Sequence, residues 1–388
     1  MGEVRIASFN VKNLIEPDEE YYKFQSYSPE EYAWKKDWLA DQVLAQDADV
    51  IGFQEIFTES ALADVMTETD KRGAALNSIS QPEGGKARRA IFRNIKYRGY
   101  KDAAIAFAPN LNDAGPGERR PGLAIVSRTG FVGTPEVIQD LAEPVEIALE
   151  GGGFRMERTS RPILKARVRM GDHPVTVINC HLKSKLGEFQ RDGSGVSPEA
   201  DLTTYDPLGR ALGAARAALR RMAEAWVVRR EVIAELDAGY PVIVLGDFND
   251  GEHAVSSEII SGETPFKNYA WMLRHDAQTS RDRYSDAENL TIREAIEAVK
   301  LHSAEKLFVR KSLRDMVYTS AFGGVYESID QIFLSRHFLR DFNGSIGEMV
   351  YFSVLNDHLT DGAHPEAPYN KLASDHGQIM ATLHMKER

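Results

Sequence analysis

The stretch Val242-Ile243-Val244-Leu245-Gly246-Asp247-Phe248-Asn249 decides the architecture of this 388-residue chain. Four consecutive apolar residues, three of them β-branched and none alternating with polar ones, describe a strand buried on both faces. Such a strand needs cover on each side. One cover precedes it: residues 208–236, rich in Ala, Arg, Leu and Glu, carry a long helical pattern that Gly239-Tyr240-Pro241 stops. Beyond Leu245 the chain turns polar and acidic. If the extended backbone continues, Asp247 and Asn249 point to one side and Phe248 to the other. Gly246 to Gly251 is also good turn chemistry, so the segment reads both as a site and as a turn.

The same arrangement recurs along the chain. Residues 4–9 form a strand-like run ending at Asn10, and residues 49–53 a second ending at Gln54 and Glu55. Residues 163–170 and 175–179 read as a hairpin across Gly171-Asp172-His173-Pro174, and the second strand runs on to Cys180 and His181. Asp330 opens the strand of residues 329–335. Ser374-Asp375-His376 comes after a polar loop and precedes the strand of residues 378–384. Further strands are expected at 103–107, 122–127 and 317–320. Helices are expected at 29–46, with Ser28 as N-cap and Pro29 at the first position, and at 59–70. Residues 252–315 read as mainly helical and 77–101 as an irregular excursion. The irregular order of strands and helices, with several short turns, predicts a mixed sheet system with helices outside it.

Composition bounds the function. Lys and Arg total 47 against 58 Asp and Glu, a formal net charge of −11. A field of that sign does not steer the chain to nucleic acid or anionic membrane, although local basic patches can still form. The hydrophobic content of 43% supports a large core. Cys180 is the one cysteine, so no internal disulfide forms. There is no run of 18 apolar residues. Cytoplasmic is the default expectation, and a removed secretion leader would overturn it.

The polar residues at the strand ends suit a phosphate and a hard cation. Oxygen donors such as Glu55 and Asn10 are what Mg²⁺ or Mn²⁺ prefers, although a solvated carboxylate and a turn-forming Asn explain them singly. Alternation puts Asn179 and His181 on one face and Cys180 on the other, as a small core hydrophobe. Lys183 and Lys185 come next, within reach of an anion or in a solvated loop. A carboxylate beside a His fixes its tautomer and raises its pKa, which Asp330 would do for His376 if the two meet. Six such motifs together exceed what turn chemistry explains.

Taken in order, Ala7-Ser8-Phe9-Asn10, Ile51-Gly52-Phe53-Gln54-Glu55, Gly122 to Arg128, Asn179-Cys180-His181-Leu182-Lys183-Ser184, Gly246-Asp247-Phe248-Asn249, Ile329 to Ser335 and Ser374-Asp375-His376 resemble the endonuclease/exonuclease/phosphatase (DNase-I-like) superfamily. The resemblance spans residues 7 to 376. It implies an α/β fold, a four-layer α/β/β/α sandwich of two packed mixed sheets flanked by helices. It also implies a metal-dependent phosphohydrolase using one or two Mg²⁺ or Mn²⁺ ions. Glu55 would bind metal with Asn10 and Asp375 near it. Asp247 would orient or deprotonate the attacking water, and Asn249 would hold the phosphate. His181 and His376 would bond the phosphoryl oxygens, with Asp330 polarising His376. The first motif reads Asn10-Val11-Lys12 where abasic-site endonucleases of the family carry Asn-x-Asp, and those enzymes use a Tyr in place of the His-Leu-Lys motif. Both departures point to the DNase-I and sphingomyelinase side.

One domain over residues 1–388 is expected, with insertions at about 80–120 and 252–328. Residues 356–373, with His358, Asp361 and His364, lead into the last motif and form a candidate substrate loop or a plain surface loop. The favoured activity is a phosphodiesterase acting on a small or lipid-like phosphoester. A nuclease would need Arg88, Arg89, Arg93, Lys96, Arg98, Arg119, Arg120, Lys183 and Lys185 around the cleft. A non-catalytic binding protein of this fold would show a broken site, and every main position is filled. No exposed aromatic hairpin, such as a membrane-acting sphingomyelinase would need, is legible; Phe352 and Tyr369 are unplaced. The oligomeric state is open.

Overall fold

A computed structural model describes residues 2–22, 25–78, 97–147, 154–188, 206–262, 275–276, 281–282, 285–312, 318–360, 370 and 372–387. In chain order the elements are β1 (Gly2–Leu14), α1 (Pro29–Gln46), β2 (Val50–Ile56), α2 (Glu59–Asn77), β3 (Ala104–Ala108), β4 (Gly122–Ser127), β5 (Glu136–Ile147), β6 (Phe154–Met170) and β7 (His173–His181). Then come α3 (Pro207–Asp237), β8 (Val242–Asp247), α4 (Val255–Ser261), the short β9 (His275–Asp276) and β10 (Arg281–Asp282), α5 (Asp286–Val299), β11 (Leu301–Ser303) and α6 (Ala304–Ser312). The chain ends with β12 (Ser320–Phe322), β13 (Val325–Glu327), β14 (Asp330–Ser335), β15 (Gly347–Leu355) and β16 (Gln378–Met385).

Two six-stranded sheets form the centre, ordered β15-β16-β1-β2-β4-β3 and β11-β14-β8-β7-β6-β5. Each is mixed: β1 and β2 run parallel, as do β7 and β8, and their other neighbours run antiparallel. Side-chain alternation divides the residues between layers. Ile6, Val50 and Ile125 of the first sheet meet Val177, Ile243 and Ile332 of the second in one buried cluster. On the outer faces, Phe9, Ile51 and Phe53 pack with Leu39 and Val43 of α1 and Leu62 and Val65 of α2. Ile178, Val244 and Phe333 pack with Val228 and Val232 of α3. This is the expected α/β/β/α sandwich.

Helix α1 begins where the sequence places it. Ser28 Oγ accepts from Glu31 N and Glu31 reaches back to Ser28 N, with Pro29 at the first position. In the two large sheets the strands not foreseen are β5, β11 and β15, each an outer edge of its sheet. Edge strands are half-solvated and broken by bulges. β5 carries four acidic residues and Pro144 among its twelve residues, and its register slips twice; no apolar run announces it. Within the region expected to be helical, β11 pairs with β14 and closes the second sheet. Residues 320–327 leave both sheets as a separate hairpin, β12–β13. It exposes Phe322 (69%), Val325 and Tyr326 (58%). This corrects the expectation of no exposed aromatic hairpin. Phe352 is buried, and Tyr369 lies outside the described residues. Among the described residues no helix is long and apolar enough to cross a membrane.

Just below the strand ends polar contacts join the sheets beside the apolar cluster. Asn179 Nδ2 donates to Phe53 O (3.0 Å) and Ala124 O (2.9 Å), and Gln54 Nε2 donates to Asn179 Oδ1 (2.8 Å). Gly52 leaves the space: a Cβ there would meet Leu245 Cδ1 at 2.1 Å. All these groups are buried, so each depends on its partner. Asn179→Ala removes one side of three hydrogen bonds and should cost about 3 kcal/mol, read as a lower urea midpoint with an unchanged slope. A change under about 0.5 kcal/mol, the level of an ordinary surface substitution, would mean the contact does not brace the sheets.

Candidate active site

Asn10, Gln54, Asn179, His181, Asp247 and Asp330 stand on strand faces whose side chains point between the sheets, and Asn10, His181, Asp247 and Asp330 come together at one end. The ladders fix this: Asp247 pairs in register with both His181 and Asp330, and Asn10 pairs with Gln54. Ser374 links the last motif to the first, its hydroxyl donating to Asn10 O (2.6 Å) and accepting from His376 N (3.0 Å).

Asp247 is the hub. Its Oδ2 accepts from Asn10 Nδ2 at 3.0 Å and from His181 Nε2 at 3.2 Å, and His376 Nε2 lies 3.7 Å away. Its Oδ1 accepts from Asn249 N at 2.8 Å. Burial works to raise its pKa, but the His181 and His376 imidazoles outweigh it and hold the carboxyl well below the usual range. His376 Nδ1 donates to Asp330 Oδ2 at 2.9 Å, the meeting the sequence left open. Burial opposes the charge on His376, yet Asp330 and Asp247 raise its pKa well above the ordinary imidazole value. Burial raises Asp330 in turn. The pair therefore holds a proton, with His376 Nε2 turned toward Asp247 and Asn10.

At two residues beside the cluster the backbone leaves the extended region. Glu55 has φ 64° at a bulge where β2 slips register against β4. Alternation alone would turn it toward the helices; the bulge brings Oε1 to 3.4 Å from Asn10 Nδ2, while Oε2 accepts from Asn13 N at 3.0 Å. Asn249 has φ 54°. The strand does not continue through it, which corrects the simple alternation expected after Leu245. Its Nδ2 donates to Leu182 O (3.1 Å), while Phe248 is buried against Phe333 as expected.

Other expectations fare differently. Asp375 is half exposed, and Lys12 Nζ lies 3.7 Å from it. Lys183 Nζ donates to Leu186 O (2.9 Å) and Ser184 Oγ, and Lys185 pairs with Glu327 (2.9 Å) on the β12–β13 hairpin. Neither amine is shown on the cluster. Cys180 is fully buried, and burial pushes its thiol pKa up, which suits a core residue. His358 bonds His376 O through Nε2 at 3.0 Å, so the start of the 356–373 segment does pass beside the site. Asp361 and His364 lie outside the described residues.

Arg161 is not singled out by the sequence. Its Nη1 donates to Leu182 O at 3.2 Å, the carbonyl that Asn249 also caps, and its charge acts on Lys183 and Tyr22. The available signal is an Arg directly before Pro162 at the head of the strand pattern that opens at Ile163.

The donor atoms of Asp247, Asp330 and His376 lie within 4.8 Å of one another and form one group that could hold a metal ion. Asp330 Oδ1 is buried without a protein partner. The carboxylate oxygens of Asp247, Asp330 and Glu55 fit a hard divalent ion. His376 fits less well, because its Nδ1 is spent on Asp330 and the ring holds a proton.

Removing the charge of Asp330 should show in a pH profile. The raised pKa of His376 keeps the imidazolium through neutrality and loses it as pH rises past that value. Asp330→Asn removes the strongest raising influence, so the alkaline limb of kcat/KM should move down toward about pH 6.5. The His376 contribution to stability has the same sign: complete below about pH 6.5 and lost through the raised folded value. An unmoved alkaline limb would assign that ionisation to another group.

The model of the Endonuclease/Exonuclease/phosphatase family matches residues 7–376. None of the curated proteins matches the sequence. Among solved structures, the chain is similar to an endonuclease/exonuclease/phosphatase family protein from Leptotrichia buccalis, at 13% identity and TM-score 0.46, over 98% of this chain and 100% of that one. It is also similar to a mannosyl-6-phosphatase from Bacteroides thetaiotaomicron (14%, TM-score 0.44, 98% and 99%) and to the human Nocturnin catalytic domain with bound sulfate (15%, TM-score 0.45, 99% and 95%).

Proposed function

Since this chain belongs to the endonuclease/exonuclease/phosphatase family, whose members hydrolyse phosphate esters, we propose that it is a metal-dependent phosphodiesterase. It cleaves a small or lipid-like phosphodiester by in-line attack of water. The observation that carries this reading is the buried Asp247 carboxylate between Asn10, His181 and His376, with Asp330 behind His376. A depressed pKa makes Asp247 a weak proton acceptor, so its part is to orient the attacking water more than to deprotonate it. The His376 imidazolium and His181 donate to phosphoryl oxygens, and Asn249 beside Arg161 holds the phosphate. Glu55 and Asn10, with Asp375 nearby, would hold a Mg²⁺ or Mn²⁺ ion. That ion would neutralise charge on the phosphoryl group and the leaving oxygen.

A polynucleotide substrate is disfavoured by the engagement of the described basic residues. Arg98 pairs with Asp49 (2.6 Å), at the end of β2 opposite Glu55, and Arg119 with Glu19 (2.7 Å). Arg120 lies over the Tyr22 ring. Arg88, Arg89, Arg93 and Lys96 lie outside the described residues. A lipid-like diester gains support from the β12–β13 hairpin. It is rooted at Thr319, whose Oγ1 accepts from Asp330 N (3.1 Å) and whose O accepts from Gly377 N (2.7 Å).

The test is hydrolysis of bis(p-nitrophenyl) phosphate, p-nitrophenyl phosphate, phosphodiester lipid in vesicles and supercoiled plasmid with Mg²⁺ or Mn²⁺. EDTA and Asp247→Asn controls run beside each. Turnover of a diester that both controls abolish, with plasmid intact, is the expected result. Plasmid nicking abolished by both would make the protein a nuclease, and turnover of the monoester alone would make it a phosphatase.

A further inference from the structure

Lys35 lies within α1 with no solvent exposure, and no carboxylate of the described residues is within ion-pair distance. Its Nζ donates to Val11 O at 3.0 Å and to Leu372 O at 3.1 Å. The Tyr27 ring lies 5.6 Å away. Taking an ammonium out of water without a carboxylate in direct contact is costly, and burial pulls its pKa down to about 7 against the raising effect of the Glu55 and Asp375 charges. A methionine would fill the same channel without that cost, so what the lysine adds is its N–H donors. The two carbonyls it joins are informative. Val11 comes directly after Asn10 in β1. Leu372 precedes Ala373-Ser374-Asp375-His376. Trp38, one turn further along α1, meets His358 edge to face at 5.1 Å, and His358 in turn bonds His376 O. Helix α1 thus grips the last motif at two points, and Lys35 is the grip that also holds β1.

We propose that Lys35 is a positioning residue for the catalytic cluster: its two carbonyl bonds fix the spacing between Asn10, beside Glu55, and His376, beside Asp330. The inference rests on the phosphohydrolase reading. Ser374 ties the same two segments from between the sheets. Lys35 ties them from the helix layer, and cutting that tie lets the last motif shift against β1. Outer partners of this kind set reactive geometry without touching substrate.

The experiment compares wild type, Lys35→Met and Lys35→Arg on bis(p-nitrophenyl) phosphate with Mn²⁺, well below each melting temperature. The Met variant is expected to lower kcat about 10- to 100-fold with KM within about twofold of wild type, and to need more Mn²⁺ for half-saturation. The Arg variant, which keeps donors for both carbonyls, should recover part of kcat. A folded Met variant with unchanged kcat, or one whose loss merely tracks its unfolded fraction, would overturn the proposal. If neither variant folds, ¹⁵N-lysine NMR of the wild type decides: the buried Nζ signal should shift when Mg²⁺ is added, and an unmoved signal overturns it. Absence of any phosphoester hydrolysis by the wild type would sink the functional reading instead, while the Mg²⁺-dependent shift would still decide the role of Lys35.

Discussion

Asp247→Asn should lower kcat by about 10³-fold while leaving the protein folded. The amide has nearly the shape of the carboxylate, so packing at the end of β8 is kept. The charge is not. In the native site the carboxylate accepts from Asn10, His181 and the Asn249 amide. An asparagine must turn either an NH₂ group toward the donors of Asn10 and His181 or a single oxygen that no longer attracts a proton. The His376 imidazolium loses one of its anionic neighbours, with Asp330 and Asp375 remaining, and the attacking water loses the group that orients it. Single-turnover kinetics with saturating Mn²⁺ would show the loss in the chemical step. A variant within tenfold of wild type would remove Asp247 from the centre of the mechanism. The substitution should also change acid stability. The folded pKa of Asp247 is depressed, so its contribution is complete above the unfolded value of 3.8 and is lost as pH falls through the folded value. The asparagine variant should lack that part of the acid transition.

Gly246→Ala should be more severe for the fold than any other substitution in the motif, costing about 4 kcal/mol or more. Gly246 has φ 143°, a region that disfavours any side chain. A Cβ there would lie 1.8 Å from Cys180 O and 2.9 Å from Cys180 C. Those are backbone atoms held in the parallel ladder of β7 and β8, where Cys180 pairs with Gly246 and His181 with Asp247. The clash has no flexible side chain to absorb it, so the strands must part at the register point that brings His181 to Asp247. Thermal unfolding should show a large drop in melting temperature, and activity should vanish even in the folded fraction. A melting temperature close to wild type would mean that the close approach of β7 and β8 is easily relieved.

Much of the site is legible because strand side chains alternate with a period of two. The identities and order of Asn10, Glu55, His181, Asp247, Asp330 and His376 stand in the sequence. So does the common face of Asn179 and His181, opposite Cys180, which alternation assigns. The central strands are legible for the same reason. The edge strand β5 is acidic and carries no apolar run, while β15 does carry one, Met349 to Phe352, that the expected strand set omits.

Sequence alone therefore settles the chemical inventory and which residues of a central strand share a face. Tertiary structure decides the rest, because it depends on partners far away in the chain or on single departures of the backbone. The bond of His376 to Asp330 spans 46 residues and that of Asn10 to Asp247 spans 237; no local pattern encodes either. Glu55 reaches the cluster through positive φ at the point where a strand stops, against the direction that alternation assigns it, whereas Asn249, which alternation would place beside Asp247, turns through positive φ so that its side chain donates to Leu182 O. The side chains of Lys183 and Lys185 are settled by competing carbonyl and carboxylate partners. Lys35 sits in an ordinary amphipathic helix pattern and acquires its place at the site only when β1 and the last loop close over it.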